Sequence, residues 1–148
     1  NMKMAKHPLG NFGRLAHFLK DELSDVVVGH SFANVHPQVK DEAGDIAHLT
    51  RTLARDVVRV LGKYRESILD MQLVQQRITR AVVELMAMTA VVARLQLRLE
   101  SGDNIDRDLV VGKGYCYRAA GRIADSLQSL FTIDDSVTLH VADVVMKH

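Results

Sequence analysis

The sequence predicts an all-α fold: an antiparallel helical bundle with three long helices, a shorter C-terminal helix and an N-terminal amphipathic segment. Three observations carry that expectation. Apolar residues recur every three or four positions through most of the chain, which is the spacing of one helix face. The only two prolines, Pro8 and Pro37, fall in the first quarter, so no residue lacking a backbone donor interrupts a helix beyond position 37. A chain of 148 residues is the size of one domain and can bury roughly two-thirds of its unfolded surface around a single core.

Residues 1–36 read as a linker containing a short amphipathic helix over about 9–23, with Phe12, Leu15, Ala16, Leu19 and Leu23 on one face and Arg14, His17 and Asp21 opposite. The stretch SDVVVGHSFANVH (24–36) has no helical period and reads as a connection. Residues 37–148 read as the bundle. Its first helix spans about 37–65, with Val39, Ala43, Ile46, Leu53, Val57, Leu61 and Tyr64 on one stripe and Thr50 at a gap in it. Pro37 suits a first helical turn, and Asp41 and Glu42 suit the positive end of the helix dipole.

The second helix, about 68–101, has the cleanest pattern: Met71, Val74, Ile78, Ala81, Leu85, Met88, Val92, Leu95 and Leu99 alternate by three and four over about four heptads. Within it, AVVELMAMTAVVA (81–93) is apolar on nearly every side, with Glu84 its only charge, so this stretch is expected to be covered by more than one neighbour. Gly102 marks the end of that helix, and Asp103 or Asn104 can cap the next. The third helix spans about 104–131 on a stripe of Ile105, Leu109, Gly112, Cys116, Ala119, Ile123, Leu127 and Leu130. Gly112, Gly114 and Gly121 each weaken a helix by about 1 kcal/mol relative to alanine, and close approach of another backbone is the expected reason for them. After a TIDD capping signal, Val137, Val141 and Val144 mark a helix over about 135–147.

Composition narrows the function classes. With 19 Lys and Arg against 18 Asp and Glu, no overall field attracts nucleic acid or an anionic membrane. The single cysteine, Cys116, excludes an internal disulfide and a cysteine-cluster zinc site, and fits a reducing compartment. Apolar runs fall short of the roughly 20 residues that span a bilayer, and no secretory pattern opens the chain, so the domain reads as soluble. Its opening residues, Asn1-Met2, suggest a piece of a longer protein.

The chemistry-bearing residues form no recognisable active site. Of the seven histidines none pairs with another at three- or four-residue spacing, so no metal is expected. Cys116 lies on an apolar stripe, where a thiol acts as a small hydrophobe. The glycines of VVGKGYCYRAAG sit inside a helical period and lack the GxxxxGK[ST] pattern of a phosphate loop. Glu84 is either a buried general base with a raised pKa or, in the commoner arrangement, a residue paired with a neighbouring arginine or emerging at a gap. Arg51, Arg55, Arg59 and Lys63 form a spiralling basic ridge. It reads first as a solvated face beside Asp56 and Glu66, and in its sharper form as a docking surface for acidic lipid or an acidic partner. The Phe12, Leu15, Leu19, Leu23 face is a second interface segment, favouring protein over membrane because Asp21, Glu22 and Asp25 lie beside it.

The segment LVQQRITRAVVELMAMTAVVARLQLRLESG (73–102), followed by GYCYRAAGRIADSLQSL, resembles the C-terminal extension of very-long-chain-type acyl-CoA dehydrogenases, and KHPLGNFGRLAHFL resembles the linker before it. That resemblance implies a non-catalytic domain of fatty acid β-oxidation whose parent enzyme binds FAD, with no cofactor held in this chain. The catalytic base of such enzymes is a glutamate in a Tyr-Glu-Gly-Thr-like segment. None occurs here, and Glu66 in Tyr64-Arg65-Glu66-Ser67 lacks the following Gly-Thr. The implied partners are the chain's own upstream dehydrogenase core and a second subunit in a homodimer, with peripheral membrane contact and no nucleic acid. The implied location is mitochondrial in a eukaryote and cytoplasmic in a bacterium. The linker departs from the strongly basic, glycine-rich form of the mitochondrial relatives. A rival reading is a stand-alone helical acyl-chain-binding or regulatory protein, its ligand held beside Met86, Met88 and Val92.

Overall fold

The computed structural model describes residues 34–132 and 135–147. Among them all regular structure is helical. Pro37–Val39 make one 3₁₀ turn, started by His36, whose Nδ1 accepts from the Gln38 N–H at 3.3 Å. Helix α1 then runs Lys40–Tyr64, with Asp41 and Glu42 in its first turn. It ends because Arg65 turns to φ 48°, a region that side-chain-bearing residues rarely adopt, while its N–H still donates to the Leu61 carbonyl. A 3₁₀ stretch, Arg65–Asp70, leads into α2, Gln72–Glu100.

The turn from α2 to α3 has a clear local cause. Gly102 takes φ +74°, its N–H donates to the Leu99 carbonyl at 3.1 Å, and the Asp103 N–H donates to the Arg98 carbonyl at 3.2 Å. Those two bonds satisfy carbonyls that the helix end would otherwise leave bare. Asn104, rather than Asp103, supplies the cap of the next helix, its Oδ1 accepting from the Asp106 N–H at 3.3 Å. Helix α3 runs Asp106–Thr132 antiparallel to α2, and α4 runs Asp135–Met146.

The core lies among α1, α2 and α3. Ile46, Leu53 and Val60 of α1, Leu85, Met88 and Val92 of α2, and Cys116, Ile123 and Leu130 of α3 are all fully or almost fully buried. The predicted α3 stripe is buried from Ile105 to Leu130 without exception. On α1 the buried set adds Leu49, Asp56 and Val60 to the predicted residues, of which Leu61 and Tyr64 are only partly buried, and Thr50 is buried with its hydroxyl donating to the Ile46 carbonyl at 2.7 Å. That bond lets a polar residue occupy the apolar face.

One expectation, for the glycines, needs correction. Helix α2 touches both α1 and α3, so 81–93 has the two neighbours expected of it, and Val83 and Met86 remain 58% and 67% exposed. Two neighbours cover only the inner half of a helix, so the outer half of an all-apolar segment stays bare. The glycines are not backbone crossings. A Cβ at Gly112 would lie 2.7 Å from Cδ1 of Leu95, so a side chain fills that space, while Gly114 and Gly121 face open space. Val141 and Val144 lie on α4 as expected, and both are exposed.

Candidate docking surfaces

Glu84 sits at the junction of α2 and α3. Its carboxylate accepts from Arg122 Nε at 2.7 Å and Nη2 at 2.9 Å, and from the Tyr115 hydroxyl at 3.4 Å. The Arg122 guanidinium holds the Glu84 carboxyl below its ordinary range, opposite to what a general base near neutrality needs. The general-base reading therefore gives way to the paired one. Cys116 is buried, and burial pushes its thiol up to about 11, so it stays protonated at neutral pH. Among the described residues no group of three or more His, Cys, Asp or Glu is placed to hold a metal ion. No helix among them is long and apolar enough to cross a membrane.

The basic ridge of α1 is engaged in local pairing. Arg55 Nε lies 3.1 Å and Arg59 Nη1 3.6 Å from Oδ1 of the buried Asp56. Arg59 also stacks over the Phe131 ring at 4.5 Å, and Lys63 over Tyr64 at 4.8 Å. Arg51 is exposed. The four cations thus share one side of α1, but three of them already have partners on this chain. Phe12, Leu15, Leu19 and Leu23 lie outside the described residues.

What sequence reasoning missed is the apolar surface left outside. On α2, Val83, Met86, Ala90 and Leu97 follow one another at three, four and seven residues, on the face turned away from the core, and all are exposed. On α3, Val110 and Tyr117 are exposed at helical spacing with Gly114 and Gly121. On α4, Leu139, Val141, Val144, Val145 and Met146 are all exposed. The first residue of α4 is tied to α2 by a two-pronged ion pair, Arg77 Nη1 and Nη2 reaching Asp135 Oδ2 and Oδ1 at 2.8 and 2.6 Å. Its hydrogen bonds to Asp135 raise the Arg77 pKa further. The apolar content of these helices carries the signal of an extra apolar face, but periodicity alone does not say which face the chain itself leaves uncovered.

Among the described residues, grooves open on the surface at two places. One, of about 370 Å³ between α2 and α3, is bordered by Val91, Arg94, Arg98, Val111 and Tyr115, with Arg98 neutralised by Asp103 and Asp108. The other, of about 350 Å³, lies where Leu139 of α4 meets Met71 and Leu73. Neither joins the residues of the rival acyl-chain reading: Met88 and Val92 are wholly buried in the core, and Met86 points outward.

A three-helix core followed by a shorter fourth helix defines an all-helical bundle domain. The chain belongs to the family described as the ACAD9/ACADV C-terminal domain, which matches residues 37–147. It is also similar to the very long-chain specific acyl-CoA dehydrogenase, mitochondrial, of Rattus norvegicus, with 28% identity over 131 residues. That similarity covers 84% of this chain and 20% of the rat protein, so the chain spans about a fifth of that relative's length.

Proposed function

We propose that residues 37–148 are the non-catalytic C-terminal domain of an FAD-dependent acyl-CoA dehydrogenase, and that residues 1–36 are the linker leading to it. The domain packs against its own upstream dehydrogenase core and helps set the geometry of a homodimer. The observation that supports this most is the apolar surface of α4 and of the outer face of α3, where Val110, Tyr117, Leu139, Val145 and Met146 are exposed together with the small residues Gly114 and Gly121. Exposed apolar residues on two helices are of the kind that protein contact covers, and a domain spanning about a fifth of its relative has the remainder of an enzyme to contact. FAD and the acyl-CoA substrate belong to that remainder. A mitochondrial location follows the rat relative's name, and a bacterial parent would be cytoplasmic. The ridge of Arg51, Arg55, Arg59 and Lys63 is the secondary candidate surface, for an acidic partner or a peripheral membrane; to use it, Arg55 and Arg59 would have to leave Asp56.

The test joins the domain to the dehydrogenase core of its own reading frame. Tyr117→Asp with Val145→Asp is expected to weaken domain–core association and dimerisation at least tenfold in analytical ultracentrifugation, while the 148-residue chain carrying both changes keeps its helical circular dichroism. The proposal is falsified if the purified 148-residue chain binds FAD stoichiometrically or oxidises an acyl-CoA.

A further inference from the structure

Unbalanced cations gather along the groove between α2 and α3. Its floor is apolar, with Leu95 of α2 against Gly112 of α3, and a Cβ at Gly112 would lie 2.7 Å from Leu95 Cδ1, so the glycine makes room for that leucine. Two of the arginines along the groove are matched: Arg98 by Asp103 and Asp108, and Arg122 by Glu84. Three are not. Arg80 and Arg94 of α2 and Arg118 of α3 are exposed and make no ion pair among the described residues, Arg80 acting only at longer range on Glu84, which Arg122 already holds. Arg94 borders the groove from α2, and Arg118 stands seven residues after Val111, which borders it from α3. In a chain whose formal net charge is +1, these three cations make a local positive field beside an apolar floor.

The spacing along α2 says what shape of partner that field suits. Val83, Ala90 and Leu97 recur every seven residues on the outer face, and Arg80, Ala87 and Arg94 recur every seven residues beside them. Val83 is 58% and Leu97 64% exposed, with Ala90 exposed between them. An apolar seam and its charged flank that repeat together every seven residues are the pattern by which one helix receives another. From Arg80 to Leu97 the seam is about 26 Å long at 1.5 Å per residue. A lipid surface asks for no such register, whereas a helix does.

We propose that the outer seam of α2 and the α2–α3 groove beside it dock an acidic amphipathic helix of a partner protein. Its apolar face lies on Val83, Met86, Ala90 and Leu97, and its carboxylates meet Arg80, Arg94 and Arg118. This is not the surface assigned to the dehydrogenase core: Val110 and Tyr117 each stand one residue from Val111 and Arg118, about 100° away around α3.

The test uses the 148-residue chain and two synthetic amphipathic helices of about 18 residues, the length of the seam. Both carry the same leucine seam, flanked by glutamate in one and by lysine in the other. In fluorescence anisotropy the glutamate peptide is expected to bind at least tenfold more tightly than the lysine peptide, and Arg80→Glu/Arg94→Glu is expected to reverse that order. Met86→Asp/Ala90→Asp is expected to weaken the glutamate peptide at least tenfold while the helical circular dichroism of the chain is kept. Tyr117→Asp with Val145→Asp is expected to leave peptide binding unchanged, so this proposal and the packing on a dehydrogenase core fail separately. Absence of binding, equal affinity for the two peptides, or no response to the arginine changes overturns the proposal. Binding of anionic phospholipid vesicles in place of the peptide, lost in the same arginine variant, overturns it in favour of a membrane. Self-association of the chain that blocks the peptide and is lost in Met86→Asp/Ala90→Asp overturns it in favour of a second copy.

Discussion

Ile123 of α3 and Val145 of α4 are both β-branched apolar residues in helices, yet the first has no exposed surface and the second is 68% exposed. The same contrast separates the whole α1–α2–α3 core from α4. In the core each helix turns one apolar stripe toward the two others, and these inner stripes find their partners within the chain. Helix α4, twelve residues long, is as rich in apolar residues as a core element, but they surround it, and Leu139, Val141, Val144 and Val145 remain 45% to 68% exposed. Apolar content therefore says that a helix needs cover, and only the geometry of its neighbours says whether the cover comes from the same chain.

The sharpest way to break this comparison is to truncate matched side chains. Leu85→Ala in the core is expected to lower the unfolding free energy by about 2–5 kcal/mol, through lost burial and the cavity left behind, whereas Val145→Ala stays within about 0.5 kcal/mol. Urea unfolding of the 148-residue chain measures both, and a comparable loss at the two positions would show that α4 is part of the core after all.

A smaller effect separates the glycines. Gly112→Leu forces a side chain into the space of Leu95 and is expected to destabilise by about 1–3 kcal/mol. Gly114→Ala and Gly121→Ala, which meet nothing within 4 Å, are expected to stabilise the isolated domain by about 0.5–1 kcal/mol each. Thermal melts read the opposite signs directly. If the two outer alanines then weaken assembly with the parent enzyme, the open face of α3 is where another helix comes close.

The smallest expected effect is electrostatic. Arg122 depresses the Glu84 pKa, so the pair's stabilisation is complete above the ordinary carboxylate pKa of about 4.3 and is lost as pH falls through the lower, folded value. Glu84→Gln should therefore flatten the acid limb of a melting-temperature profile below about pH 4.5 and leave the slope near neutrality unchanged. A flattened slope near pH 7 instead, about the range of a raised carboxyl, would mean that Glu84 is not held ionised by Arg122.

Much of the core is legible in the sequence alone. The α3 stripe from Ile105 to Leu130 and the α2 seam are readable because each repeats the 3.6-residue period on one face without interruption. Gly102 is readable because a left-handed turn at a helix end favours a residue without Cβ. The illegible features depend on residues far apart in the chain. Nothing local in Arg77 announces Asp135, 58 positions away, nor in Glu84 its partner Arg122, 38 positions away. Likewise AVVELMAMTAVVA reads as apolar all round, and its pattern cannot distinguish a helix wrapped by its own chain from one left half bare. The basic ridge of α1 is legible as charge, while the partners of Arg59 and Lys63, Phe131 and Tyr64, emerge only once the helices are in place.

The ion pair between Arg77 and Asp135 has a mechanical consequence. It grips α4 at its first residue, whereas the apolar side chains that need cover extend along the helix to Met146. A rod clamped at one end has its position set by the clamp and its bearing set by whatever leans on the other. On the proposed packing against a dehydrogenase core, the root of α4 is fixed by this domain while its heading follows the surface it meets.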